Sequence, residues 1–219
     1  MAPRRCSEEP WVDLYLFDFD ETLYDYDFRI RLPSLSVLTG VSQYRLAKDW
    51  WAAGFEKRAE AGEWSTSEEY LAEFNRQTGA RLTLEGWRET RMLASTRIPG
   101  SVDALRTAAT LGTVGVLTNN PAPFAESFAI MAPDVAELVG ENVLVSSGLG
   151  VRKPDAEIYR LAMDRFGASP ENTFFTDDSA SNVAGADAVG IHGYQIEWVK
   201  NEPVTDSLLA AVRAFAERA

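Results

Sequence analysis

The stretch Tyr15-Leu-Phe-Asp18-Phe-Asp20-Glu-Thr22-Leu-Tyr24-Asp-Tyr-Asp27 sets the terms for the rest of the chain. Val12 to Phe17 is apolar apart from Asp13 and lacks the alternation of a half-exposed strand. It therefore reads as a strand covered on both faces, as in a parallel sheet. That strand runs straight into two carboxylates two residues apart, on one side of the chain and close enough to repel. Something has to neutralise them.

Outward from this stretch, residues 25 to 96 change character. "SQYRLAKDWWAAGFEKRAEAG", "STSEEYLAEFNRQTG" and "TLEGWRETRMLAS" have helical spacing and are separated by glycine-containing breaks, with no convincing strand among them. Ser65 or Thr66, followed by Glu68 or Glu69, has the form of a capping box. After "RIPG" the chain alternates between helix and strand. Helices are expected over 101–109, 121–131, 154–166 and 179–189, and strands over 113–117, 142–146, 173–176 and 191–194. An amphipathic helix closes the chain. Asn119 or Asn120 is the expected cap of the 121–131 helix, with Pro121 in its first turn, and Pro154 is expected in the first turn of the next one. Helices between strands imply an α/β fold with a Rossmann-like, doubly wound parallel sheet. Its core is built from residues 10–24 and 97–219, and an α-helical cap domain, 25–96, is inserted after the first strand.

In an open parallel sheet, ligands bind beyond the carboxyl ends of the strands. The first four expected core strands there each lead into a polar cluster: Asp18-Phe-Asp20-Glu-Thr22, then Thr118-Asn119-Asn120, then Arg152-Lys153-Pro154, then Asp177-Asp178-Ser-Ala-Ser-Asn182. Asp18, Asp20, Asp177 and Asp178 would gather four negative charges in a small volume, which destabilises the fold unless a cation joins them. Small carboxylates with no cysteine or histidine suit Mg²⁺ and not zinc. Lys153, the Thr118 hydroxyl, the Asn119 amide and nearby backbone N–H groups add donors, and together these make a receptor for a phosphoryl group. Asp18 is then the nucleophile toward phosphorus. Asp20 is the acid for the leaving oxygen and later the base for water.

These residues resemble the haloacid dehalogenase superfamily, in its phosphatase branch. The resemblance rests on DxDxT at Asp18-Phe-Asp20-Glu-Thr22, "LTNN" with Thr118, "RKPDAEIY" with Lys153, and "DDSASN" with Asp177, Asp178 and Asn182, in family order along the whole core. It implies Mg²⁺ held by the Asp18 carboxylate, the Asp20 backbone carbonyl and Asp178, with Asp177 a second ligand or an outer acceptor. "DDSxxN" with "DxDxTLY" is similar to the pyrimidine-5′-nucleotidase-like branch. The implied activity is Mg²⁺-dependent hydrolysis of a small-molecule phosphomonoester through an aspartyl-phosphate. A phosphomutase shares all four motifs. Haloacid dehalogenases proper carry an aromatic residue at the position of Asp20 and use no metal, so Asp20 and the Asp177-Asp178 pair argue against that chemistry. A silent binding protein on this fold would commonly have lost one of the motif residues, and none is missing.

Composition bounds the partners. The 219 residues carry 33 Asp+Glu against 21 Lys+Arg, a formal charge of −12, which disfavours nucleic acid and anionic membranes. One cysteine, Cys6, permits no intramolecular disulfide and fits a reducing cytoplasm. The start has basic residues but no apolar stretch of a signal peptide, and no run reaches transmembrane length. A monomer or homodimer is expected. His192, the sole histidine, reads as structural. Trp50, Trp51, Phe55, Trp64 and Trp87 read as core of the insert, and Lys57, Arg58, Arg88 and Arg91 as solvated faces, with one of them a candidate to face the substrate. Tyr24, Asp25 and Asp27 stand where the chain leaves the core, as substrate contacts or a hinge.

Overall fold

The computed structural model describes residues 13–218, so Cys6, the N-terminal stretch and Val12 lie outside the described residues. Strands β1 (Leu14–Phe17), β4 (Thr113–Thr118), β5 (Val143–Val145), β6 (Thr173–Asp177) and β7 (His192–Gln195) form one sheet in the order β5-β4-β1-β6-β7. Every pairing is parallel. The first strand is central, flanked by β4 and β6, and the sheet is wound outward in both directions from it.

The absence of alternation in β1 has its cause in this placement. Tyr15 and Phe17 face one core with Val102, Leu105, Phe124, Leu208 and Phe215. Leu14 and Leu16 face the other, with Leu117, Ile158, Tyr159 and Phe175. Both faces of the strand are dry, and the burial of these side chains contributes on the order of 2 kcal/mol each.

Between β1 and the helix Pro99–Ala108 the chain makes a helical insert. Its helices are Phe28–Thr39, Gln43–Leu46 running into a π-helical turn Ala47–Ala52, Phe55–Glu60, Ser67–Thr78 and Leu84–Leu93. The expected capping box forms between Thr66 and Glu69. Trp50 is fully enclosed, its ring 5.4 Å from Phe55, 5.2 Å from Tyr70 and 5.0 Å from Phe74, so the aromatics of the insert are its core.

Three features depart from the sequence expectation. The interval does contain strand: β2 (Tyr24–Tyr26) and β3 (Ser95–Arg97) pair antiparallel where the insert leaves and rejoins the core. Helix Phe28–Thr39 forms despite Pro33 in its interior; the Asp27 side chain caps its start and Gly40, at φ 71°, ends it. Helix Ala156–Phe166 begins two residues beyond Pro154, with the Asp155 side chain as its cap. Among the described residues no helix is long and apolar enough to cross a membrane.

Candidate active site

Where β1 ends, its ladder continues one residue further: the Asp18 N–H donates to the Thr176 carbonyl at 2.9 Å. Phe19 is buried, stacked 4.8 Å from Tyr24 and edge-on to Phe124 at 4.9 Å. With Phe19 committed to the core, Asp18 and Asp20 are left to the opposite side. The chain then turns sharply, with the Leu23 and Tyr24 N–H groups both donating to the Phe19 carbonyl. Glu21 takes a left-handed conformation within that turn, at φ 57°.

Lys153 organises the acids. It is 1 % exposed, with its ammonium 2.9 Å from Asp18 Oδ1, 2.5 Å from Asp177 Oδ2 and 2.8 Å from the Leu117 carbonyl. Its backbone is fixed by the Asn119 side chain, which accepts from the Lys153 N–H at 2.8 Å and donates to its carbonyl at 3.0 Å. Burial works against the lysine's charge, but Asp18 and Asp177 outweigh it and raise its pKa. Asp177 is fully buried and also accepts from the Ser179 N–H at 2.8 Å and from the Asn182 amide at 3.0 Å. Asn182 thus orients Asp177, not Asp178.

Asp18, Asp177 and Asp178 each offer a carboxylate oxygen within 4.8 Å of the others. Burial pushes the Asp18 carboxyl well above the ordinary range, partly offset by Lys153 and reinforced by Asp177. The Asp178 carboxyl is pushed up to about 6, by burial and by Asp177. An all-oxygen group whose carboxylates repel in this way is the donor chemistry of a hard divalent cation.

Asp20 has different neighbours. Arg91, from the last helix of the insert, places Nη2 at 2.5 and 2.6 Å from its two oxygens, and the Asn120 amide donates to Oδ2 at 3.0 Å. Asn120 also donates to the Thr118 hydroxyl at 2.9 Å, and Thr118 itself is buried at the end of β4. Neither Asn119 nor Asn120 caps the following helix, which starts at Ala122 with Pro121 at its cap and no side-chain cap bond. The reason is competition: both amides are taken up by Lys153, Asp20 and Thr118.

The reading of Arg91 as a solvated face is corrected here. Arg91 is 5 % exposed and lies 3.8 Å over the Tyr26 ring. Its signal was available, because Trp87 and Arg91 are one helical turn apart on the same buried stripe. Lys57 and Arg58 are exposed, as expected. Arg88 is half-buried and donates to the Ser127 hydroxyl at 3.2 Å. Tyr24 donates to Asp134 at 2.9 Å and Asp27 caps a helix, so both have structural partners. His192 opens β7 opposite Phe174, at the other end of the strands from the acids, and packs edge-on against Phe215 at 5.1 Å.

Against this geometry, the sequence profile of the haloacid dehalogenase-like hydrolases matches residues 12–190. The chain belongs to that family. A relative from Mycobacterium tuberculosis, the phosphatase MT3486, is 27 % identical over 191 residues, covering 85 % of this chain and 88 % of the relative. A haloacid dehalogenase family enzyme from Bacteroides thetaiotaomicron, solved with magnesium and inorganic phosphate, superposes with a TM-score of 0.69 at 20 % identity, over 85 % of this chain and 94 % of that one. A HAD-like family hydrolase of Porphyromonas gingivalis superposes at 0.73 with 18 % identity, over 95 % and 99 %. This haloacid dehalogenase-like hydrolase is an enzyme of the phosphatase branch.

Proposed function

We propose that the protein is a Mg²⁺-dependent phosphohydrolase that cleaves a small-molecule phosphomonoester through an aspartyl-phosphate on Asp18, in the cytoplasm. The observation that carries this reading is the Asp18 carboxylate, held against a fully buried Lys153 ammonium with Asp177 and Asp178 alongside. The magnesium complex of the Bacteroides relative supports the choice of ion.

Asp18, Asp178 and the Asp20 carbonyl would hold the ion, and Asp177, already engaged by Lys153 and Asn182, would act as an outer partner. When bound, the ion supplies positive charge that draws the phosphoryl group toward Asp18. The phosphoryl oxygens are received by Lys153, by the Thr118 hydroxyl and by backbone N–H groups around Asn119. An Asp18 oxygen attacks phosphorus as the ester oxygen leaves, and Asp20 gives that oxygen a proton. Water then attacks the same phosphorus, giving its proton to Asp20, and Asp18 is released with inorganic phosphate. Residues 25–96 serve as a cap that excludes bulk water and selects the substrate, with the β2–β3 ribbon as its neck.

The test is a screen of phosphomonoesters with and without Mg²⁺: nucleotides, sugar phosphates, short alkyl phosphates and p-nitrophenyl phosphate. Hydrolysis of some members, lost in EDTA and restored by Mg²⁺, is expected. Undiminished turnover in EDTA would remove the metal from the account.

A further inference from the structure

One side chain of the insert touches the acids of the core, and its geometry is incomplete. Arg91 presents a single nitrogen, Nη2, to both Asp20 oxygens, while its Nε is enclosed with no hydrogen-bond partner. A guanidinium that grips a carboxylate in its preferred way uses two parallel N–H groups. Here one nitrogen serves both Asp20 oxygens and Nε meets no acceptor, although the residue is almost wholly buried. An enclosed N–H without an acceptor is costly, so its retention beside the reacting groups calls for an acceptor that arrives.

We infer that Arg91 is a phosphoryl-binding residue supplied by the insert. The inference rests on the phosphohydrolase reading. Arg91 Nη2 is 3.5 Å from Asn120 Oδ1, and the Asn120 amide is 2.9 Å from the Thr118 hydroxyl, so one side chain separates Arg91 from the proposed phosphoryl receptor. A tetrahedral dianion offers enough oxygens to fill both Nε and Nη2. In the core, Lys153 is the only cation in contact with Asp18 and Asp177 among the described residues. Even with the proposed Mg²⁺ beside Lys153, four aspartates and a phosphate dianion leave negative charge in excess, and Arg91 is already held there, its guanidinium 3.8 Å from the centre of the Tyr26 ring. Transfer of Arg91 from Asp20 to the phosphoryl group would also free the Asp20 oxygens for the leaving group. Docking of substrate and seating of the insert would then be a single event.

Arg88 provides the control, because it joins the same helix to the core through Ser127 and touches none of the acids. The experiment is calorimetric titration of inorganic phosphate, with Mg²⁺ present, into the full-length protein, alongside KM for the best ester. Arg91→Met is expected to weaken phosphate at least tenfold and to raise KM in parallel. Arg91→Lys should recover part of the loss, since it keeps charge without the fork, and it stands in if Arg91→Met does not fold. Arg88→Ala should stay within twofold of wild type. Phosphate affinity within twofold of wild type in both Arg91 variants, or an equal loss in Arg88→Ala, would overturn the inference. The titration needs no turnover, so it stands apart from the nucleophile assignment, which fails separately if Asp18→Asn still hydrolyses ester.

Discussion

The sheet edge and the helical insert both bury charge, and they do so differently. At the sheet edge the charges close on one another: Lys153 is shared by Asp18, Asp177 and the Leu117 carbonyl, and Asn119, Ser179 and Asn182 fix the geometry around it. In the insert some buried groups are met internally, as Glu56 is by Trp50 and Tyr70, and others reach into the core. Arg91 finds its acid in the core, at Asp20. Glu60 pairs with Arg152 of the core at 2.7 Å. Arg31, buried at the centre of the insert, donates to the Trp87 carbonyl and the Thr90 hydroxyl, and burial lowers its pKa to about 10. The difference teaches that the charge cluster is built within the core, whereas the insert joins the core through apolar packing and adds the ion pairs Arg91–Asp20 and Glu60–Arg152.

The comparison can be broken most forcefully at Asp18. Asp18→Asn keeps the shape and removes the nucleophile, so ester hydrolysis should fall at least about a thousandfold while the melting curve changes little. Lys153→Met comes next. It strands two buried carboxylates and should cost about 3–5 kcal/mol in chemical denaturation, with part of the loss restored by Mg²⁺. If the variant were as stable as wild type without metal, the sheet edge would not be the closed network described.

On the insert side, Trp50→Ala empties the centre of its aromatic core and should cost about 3–5 kcal/mol. Proteolysis should then begin within residues 25–96 before the sheet is cut. A smaller effect sharpens the contrast through pH. The Glu60 carboxyl is pushed up to about 7, by burial first and by the charge of Glu56, with Arg152 pulling it down. Folded Glu60 therefore keeps a proton that the unfolded chain releases near its ordinary value of about 4.5. The fold binds more protons in that window, so this group's contribution to stability declines as pH rises from about 4.5 to about 7 and is level above it. Melting temperatures across that range should decline accordingly, and Glu60→Gln should flatten the slope.

Much of this was legible in the chain. The four strand-end clusters could be read because each is a local run following an apolar strand, and parallel topology brings all of them to one edge. Lys153 could be placed near the acids, but not as their common partner, because that depends on β4 and β6 flanking β1. The β2–β3 ribbon escaped notice because three-residue strands of mixed polarity have too little periodicity to read. Pro33 hid a helix whose stability comes from packing and its caps. Arg91 was misread because a charged side chain on a helix is usually solvated, and only its register with Trp87 pointed inward. The partner of Asn182 was also hidden, since the sequence places it in the last motif without showing that its amide reaches Asp177.

The central claim is that a covalent bond forms between Asp18 and phosphorus. Rapid acid quenching of the enzyme during turnover of a ³²P-labelled ester, followed by peptide mapping, tests it directly. The account expects hydroxylamine-labile label on the peptide containing Asp18, discharged by water to inorganic phosphate and absent in Asp18→Asn. Steady turnover with no label on that peptide, or label that persists in Asp18→Asn, would contradict it.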